Sequence, residues 1–173
     1  MTFVPTIKIC ITFVPTNFVF TTMKIEDIIR TTSPMAIGKK TVLNIMYTQN
    51  SIGEKFNEVL KCHDLSPEQF NVLRILKGQN GNPINMSVIQ ERMIAKTSNT
   101  TRLVDKLLLK ELLTREVCPD NRRKMEIAIT QKGLDLLNEV NPKVDAHEAL
   151  FAQNLTVEEL EQLNNLLEKF RTI

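Results

Sequence analysis

Residues 86–130 constrain this chain more than any other stretch; they read MSVIQERMIAKTSNTTRLVDKLLLKELLTREVCPDNRRKMEIAIT. Met86, Ile89, Met93 and Ile94 recur at helical spacing, and Ala95-Lys96 makes a turn. Leu103, Val104, Leu107 and Leu108 then stripe a second amphipathic helix over about residues 97–109. Residues 113–118 and 125–130 fit strands, the second alternating Met125, Ile127 and Ile129 with Glu126, Ala128 and Thr130. Between them the turn formers Pro119, Asp120 and Asn121 lead into Arg122, Arg123 and Lys124, a basic hairpin tip. Two short helices followed by a charged hairpin predict a mainly α fold with a small β wing, a winged helix-turn-helix.

The flanks are helical. Ile25, Ile28 and Ile29 mark a short turn that Thr32-Ser33-Pro34 interrupts. A longer helix follows, carrying Val42, Ile45, Met46, Ile52, Phe56, Val59 and Leu60 at spacings of three, four and seven. Ser66-Pro67-Glu68-Gln69 is a helix start: a Ser cap, Pro at the first helical position, and Gln placed to close a capping box. Phe70, Leu73 and Leu76 form its buried face, and residues 78–83 end it as a plain loop. After the hairpin, Leu134, Leu137 and Val140 return to helix, Asn141-Pro142 restarts or kinks it, and it continues through Val144, Leu150 and Phe151. Thr156-Val157-Glu158-Glu159 is a second capping box, opening a last helix with Leu160, Leu163, Leu166, Leu167 and Phe170 on one side. A face that apolar must either close the core or meet a second subunit. Residues 1–22 repeat Thr-Phe-Val-Pro-Thr and lack the basic start and cleavage site of a signal peptide. They read as an extension ahead of a functional chain beginning near Met23, or as an arm able to pair as a strand.

Charge distribution decides more than net charge, which is only +2. Nine bases against five acids lie between Met86 and Lys124, whereas acids outnumber bases after Val140. The first region suits an anion and the second does not. The helix near residues 97–109 opens with Ser98, Asn99, Thr100, Thr101 and Arg102. Short hydroxyl and amide side chains with an arginine suit a helix that reads base edges and phosphates in a major groove. The same residues would also serve as an ordinary cap. The hairpin tip tilts the choice. Asn121, Arg122, Arg123 and Lys124 hold three adjacent like charges that gain nothing from burial; a polyanion would neutralise them, and a tip this slender can enter a minor groove, the alternative being a solvated hairpin.

Other chemistry is thinly supported. Cys10, Cys62 and Cys118 are odd in number and widely spaced, which is no disulfide framework and suits a reducing, cytoplasmic compartment. Cys62-His63-Asp64 is at most half a zinc site, without a CxxC or HxxxH beside it, so neither a metal nor a cofactor is expected. Cys62 reads instead as a small packed hydrophobe. His63 and His147 have no neighbouring nucleophile and no paired carboxylates mark an active site, so an enzyme is not expected. No apolar run reaches the roughly 18 residues of a membrane span.

Three runs together resemble the multiple antibiotic resistance regulator (MarR) family of bacterial transcription factors. They are Leu65-Ser66-Pro67-Glu68-Gln69-Phe70, Thr101-Arg102-Leu103-Val104-Asp105-Lys106-Leu107, and Arg122-Arg123 with Ile129-Thr130-Gln131-Lys132-Gly133. The resemblance covers roughly residues 39–170. It implies a homodimer in which helices of residues 23–65 and 131–173 form a dimerisation lobe and residues 66–130 form the DNA-binding winged domain. It further implies a pseudo-palindromic double-stranded operator, with the two recognition helices in major grooves about 34 Å apart. Ser98, Asn99, Thr100, Thr101 and Arg102 would face the major groove, and Arg122 or Arg123 the minor groove with Asp120 orienting it. A small effector would bind between the lobe and the winged domain and lower DNA affinity, making the protein a repressor. The chain departs from the family pattern at two places: Asn121 stands where Asp commonly precedes the arginine pair, and Glu111 where Gly commonly follows the recognition helix. A left-handed Glu111 would cost on the order of 1 kcal/mol, unless the helix end is remodelled. Those departures leave an alternative, a winged-helix module that binds protein and has lost specific DNA recognition.

Overall fold

The computed structural model describes residues 23–96, 99–118 and 121–172, and of Asn121, Arg122 and Arg123 the backbone alone. The expectations for the 1–22 extension, Ser98 and Asp120 therefore lie outside the described residues, as do those for the side chains of the first three wing residues. The elements run α1 (Ile25–Ile28), α2 (Ile37–Lys61), α3 (Pro67–Lys77), α4 (Met86–Arg92), α5 (Thr100–Leu109), β1 (Leu113–Cys118), β2 (Asn121–Ile129), α6 (Gln131–Ala152) and α7 (Val157–Phe170). No described helix is long and apolar enough to cross a membrane.

The chain divides into two compact units at Lys55/Phe56. In the described part of the first, Lys40 Nζ lies 2.6 Å from Glu26 Oε1 and ties α1 to the start of α2. That contact holds the Glu26 carboxyl below its ordinary range.

The second unit is built on α3. The Ser66 hydroxyl accepts from Gln69 N at 3.2 Å while the Gln69 side chain accepts from Ser66 N at 3.0 Å, so the predicted box closes with Pro67 behind it. The face it starts, Phe70, Val72, Leu73 and Leu76, is buried against Leu60, Ile89, Leu107, Ile127 and Leu137. Each such side chain contributes about 1.5–3 kcal/mol by leaving water. Leu137, Val140, Val144 and His147 stripe α6 on the same side of the helix. Pro142 lies inside α6 rather than breaking it. Burial of Val140 and Val144 on either side offsets the roughly 3 kcal/mol that an interior proline costs.

The wing differs from expectation in length. β2 begins at Asn121 rather than near Met125, and pairs antiparallel with β1 from Leu113↔Ile129 to Val117↔Met125. The register then jumps to Cys118↔Asn121, leaving residues 122–124 without partners across the ladder. The basic residues thus ride on a bulged strand end instead of a loop. Such bulges bend a strand and re-aim its side chains. Ile84 adds a one-residue third strand, exchanging bonds of 3.0 and 2.8 Å with Ile127. Cys62 is exposed just past the end of α2, against the expectation of a packed small hydrophobe, and Cys118 is the free cysteine among the described residues.

Candidate nucleic-acid interface

The helix-turn-helix begins with Asn85, whose side chain accepts from Val88 N at 3.2 Å and caps α4. α4 stops at Arg92, because Met93 turns to extended backbone to bury its side chain. Ile94, expected on the buried stripe, is instead 87% exposed. Lys96 Nζ reaches back to the Glu91 carbonyl across the turn.

Asn99 then caps α5, its Oδ1 accepting from Arg102 N at 3.1 Å. Helix therefore starts at Thr100, not near residue 97. Thr100 is 5% exposed, so its side chain faces the interior and the expectation that it faces a groove is corrected. Asn99, Thr101 and Arg102 are exposed, as is Lys106 one turn on. Val104 and Leu107 are buried behind them. The outer and inner faces of α5 separate as a reading helix requires.

The middle and the C-terminal end of α5 are held by contacts that sequence reasoning missed. Arg115 Nη1 on β1 lies 2.6 Å from Asp105 Oδ1, a link between α5 and the wing across ten residues. Periodicity carries no signal for such a pair, although Asp105 lies inside one of the runs quoted above. At the far end Lys110 Nζ pairs with the Asp64 carboxylate at 2.9 Å and also donates to the Asp64 carbonyl.

The C-terminal turn of α5 explains the departure at Glu111. Glu111 N bonds to Leu108 O at 2.9 Å and Leu112 N to Leu107 O at 3.1 Å, the paired bonds of a Schellman ending. That ending needs a left-handed residue, and Glu111 supplies it at φ +62°. The helix end is not remodelled; the strain is accepted. Several bonds surround it. Thr130 Oγ1 donates to Glu111 O at 2.8 Å, Thr130 N to Leu112 O at 3.2 Å, and Lys132 Nζ pairs with Glu111 Oε2 at 2.7 Å. The Lys132 ammonium holds the Glu111 carboxyl below the ordinary carboxylate range. Thr130 also caps α6 by accepting from Gly133 N at 3.1 Å. A Cβ on Gly133 would lie 2.3 Å from Leu112 O, so only glycine lets α6 start this close to the end of α5. The run Ile129-Thr130-Gln131-Lys132-Gly133 is therefore a structural joint between recognition helix, wing and α6.

On the wing, Lys124 is exposed, and the backbone of Asn121, Arg122 and Arg123 runs in the strand just before it. Three consecutive basic residues thus leave the ladder together, next to the Cys118–Asn121 pair at the end of the hairpin farthest from the joint.

Comparison with known proteins agrees with this architecture. The model of the MarR family matches residues 65–125. The HTH-type transcriptional regulator MhqR of Bacillus subtilis is 33% identical over 119 residues, 69% of this chain and 81% of the relative. Among solved structures, the organohalide-sensing regulator RdhR-CbdbA1625 in its 2,4-dichlorophenol-bound form superposes with a TM-score of 0.72 at 19% identity, covering 81% of this chain and 85% of the other. CouR from Rhodococcus jostii RHA1 bound to p-coumaroyl-CoA superposes with a TM-score of 0.68 at 22% identity, covering 81% and 99%. The match to the family's model and the one-third identity to MhqR lead to one conclusion: this chain belongs to the MarR family of transcriptional regulators.

Proposed function

We propose that the protein binds a pseudo-palindromic operator in double-stranded DNA as a cytoplasmic homodimer and represses transcription by occupying it. Residues 66–130 form the DNA-binding domain, and helices of residues 23–65 and 131–173 supply the dimer contacts. α5 enters the major groove with Asn99, Thr101 and Arg102, together with Ser98 just before the cap. The segment of Asn121, Arg122, Arg123 and Lys124 enters the minor groove, and Asp120 orients one of its arginines.

The observation that carries this reading is the exposed first turn of α5, on a helix tied to β1 through Asp105 and lying in one unit with a run of bases that has left the strand ladder. A phosphate backbone is the partner that such a run of like charges favours. Dimerisation is supported by α7, which has no buried residue and exposes Leu163, Leu166 and Phe170. A small aromatic effector between the lobe and the winged domain would shift the population toward dimers with wrongly spaced recognition helices. RdhR and CouR, with their bound 2,4-dichlorophenol and p-coumaroyl-CoA, support that class.

The test is a gel shift on fragments selected from genomic DNA. Arg122→Ala or Arg123→Ala should lower affinity by about 1–3 kcal/mol for the arginine that inserts. Unchanged binding in both variants would remove the wing from the mechanism.

A further inference from the structure

Resting on the DNA-binding reading, we propose that the reading face of α5 is a hydrogen-bond donor surface and selects a guanine-bearing half-site, with Arg102 as the specificity-determining residue.

The argument begins with what each exposed group of the first two turns has left to offer. Asn99 would ordinarily present both a carbonyl and an amide, the pair that grips adenine N6 and N7 together. Its Oδ1 is already engaged by Arg102 N at 3.1 Å, which leaves its two N–H donors as the larger part of what it can offer. Thr100, buried, offers nothing to a groove. Thr101 is exposed, and its hydroxyl donates as readily as it accepts. Arg102 and Lys106 are exposed and carry donors alone. One carboxylate lies in this stretch, Asp105, and it is drawn sideways onto Arg115 of β1 at 2.6 Å.

The bases differ in what they ask for. Cytosine and adenine each present an amino group in the major groove, which needs an acceptor from the protein. Guanine presents N7 and O6, two acceptors side by side, and thymine presents O4. A surface that has engaged its side-chain carbonyl in a cap and its carboxylate on the wing offers an amino group little beyond the Thr101 hydroxyl, whereas its donors are many. An amino group set against Arg102 or Lys106 would be left desolvated and unpaired, at a cost comparable to a lost hydrogen bond. The planar fork of Arg102 matches the guanine pair in geometry as well as polarity. The Asp105–Arg115 contact therefore does two things: it braces the wing, and it removes the one strong acceptor from the reading face.

The experiment selects genomic fragments with the full chain, then titrates the enriched duplex by fluorescence anisotropy against Arg102→Ala and Arg102→Lys. Arg102 is exposed, and a thermal melt of each variant checks that folding is intact. The expected result is a guanine in each half-site whose replacement by 7-deazaguanine weakens binding, while inosine there, which keeps N7 and O6, does not. Arg102→Ala should weaken binding to the selected duplex by roughly 5- to 150-fold. Arg102→Lys should retain binding to random duplex yet lose discrimination at that guanine. Enriched sites without the guanine, or equal discrimination by wild type and Arg102→Lys, would overturn this inference and leave DNA binding standing. No enrichment of any fragment would overturn DNA binding, and this inference with it.

Discussion

His63 shows how much a single side chain can add to the packing of α6 within the second unit. Its ring is nearly buried, with Nε2 2.9 Å from Lys143 Nζ and Nδ1 3.6 Å from Glu139 Oε1. Burial lowers its pKa, the Lys143 ammonium lowers it further, and Glu139 opposes them. A neutral ring can accept from Lys143, whereas a protonated one would set two cations side by side. The unfolded chain, with an ordinary value near 6.5, binds the proton first as pH falls. Stability contributed by neutral His63 is thus complete above about pH 6.5 and is lost as pH drops toward the lowered folded value. Denaturant midpoints should fall more steeply between neutral and mildly acidic pH for wild type than for His63→Gln, which keeps an acceptor and cannot titrate. Parallel profiles would contradict the assignment. Cys62-His63-Asp64 looked like a fragment of a metal site in the sequence; the fold uses His63 on α6 and Asp64 on Lys110 instead.

Elements were legible where their signals are local. The boxes at Ser66/Gln69 and Thr156/Glu159 close as read, because a cap is a bond between side chain and backbone three residues apart. β1 has the expected ends. Boundaries set by distant partners were not legible. α4 ends early because burying Met93 overrides the helical period that includes Ile94. β2 starts early because Asn121 pairs with Cys118, and a run of charged residues has no alternation to announce a strand. The candidate site divides the same way. The exposed residues Asn99, Thr101 and Arg102 could be named from type and position. The inward turn of Thr100 and the Asp105–Arg115 brace required the fold. The end of α5 provides an element-scale test. Glu111 holds a left-handed conformation at φ +62°, which favours glycine. Its exposed pair with Lys132 contributes little in return. Glu111→Gly should therefore stabilise the protein by about 0.5–1 kcal/mol in chemical denaturation, the relief of strain outweighing the lost ion pair. Destabilisation would mean that the Lys132 contact matters more than the backbone.

At the scale of the molecule, apolar side chains are left without cover on helices of both units. Ile37, Val42, Met46 and Tyr47 are exposed on α2, and Leu163, Leu166 and Phe170 on α7. Monomeric proteins seldom leave that much apolar surface in water, and a second copy of the chain would remove it. In the proposed dimer, two identical α5 helices would demand a half-site repeat in the DNA. The net charge of +2 would draw little DNA by itself, so affinity has to come from the local concentration of bases around α5 and β2. The most direct test titrates the full chain against its selected duplex at several salt concentrations while measuring the binding stoichiometry. Two chains per duplex are expected, with affinity falling roughly a thousandfold or more between 50 and 200 mM salt as phosphate contacts release counterions. One chain per duplex with an affinity indifferent to salt would contradict a dimer that grips DNA through its winged domains.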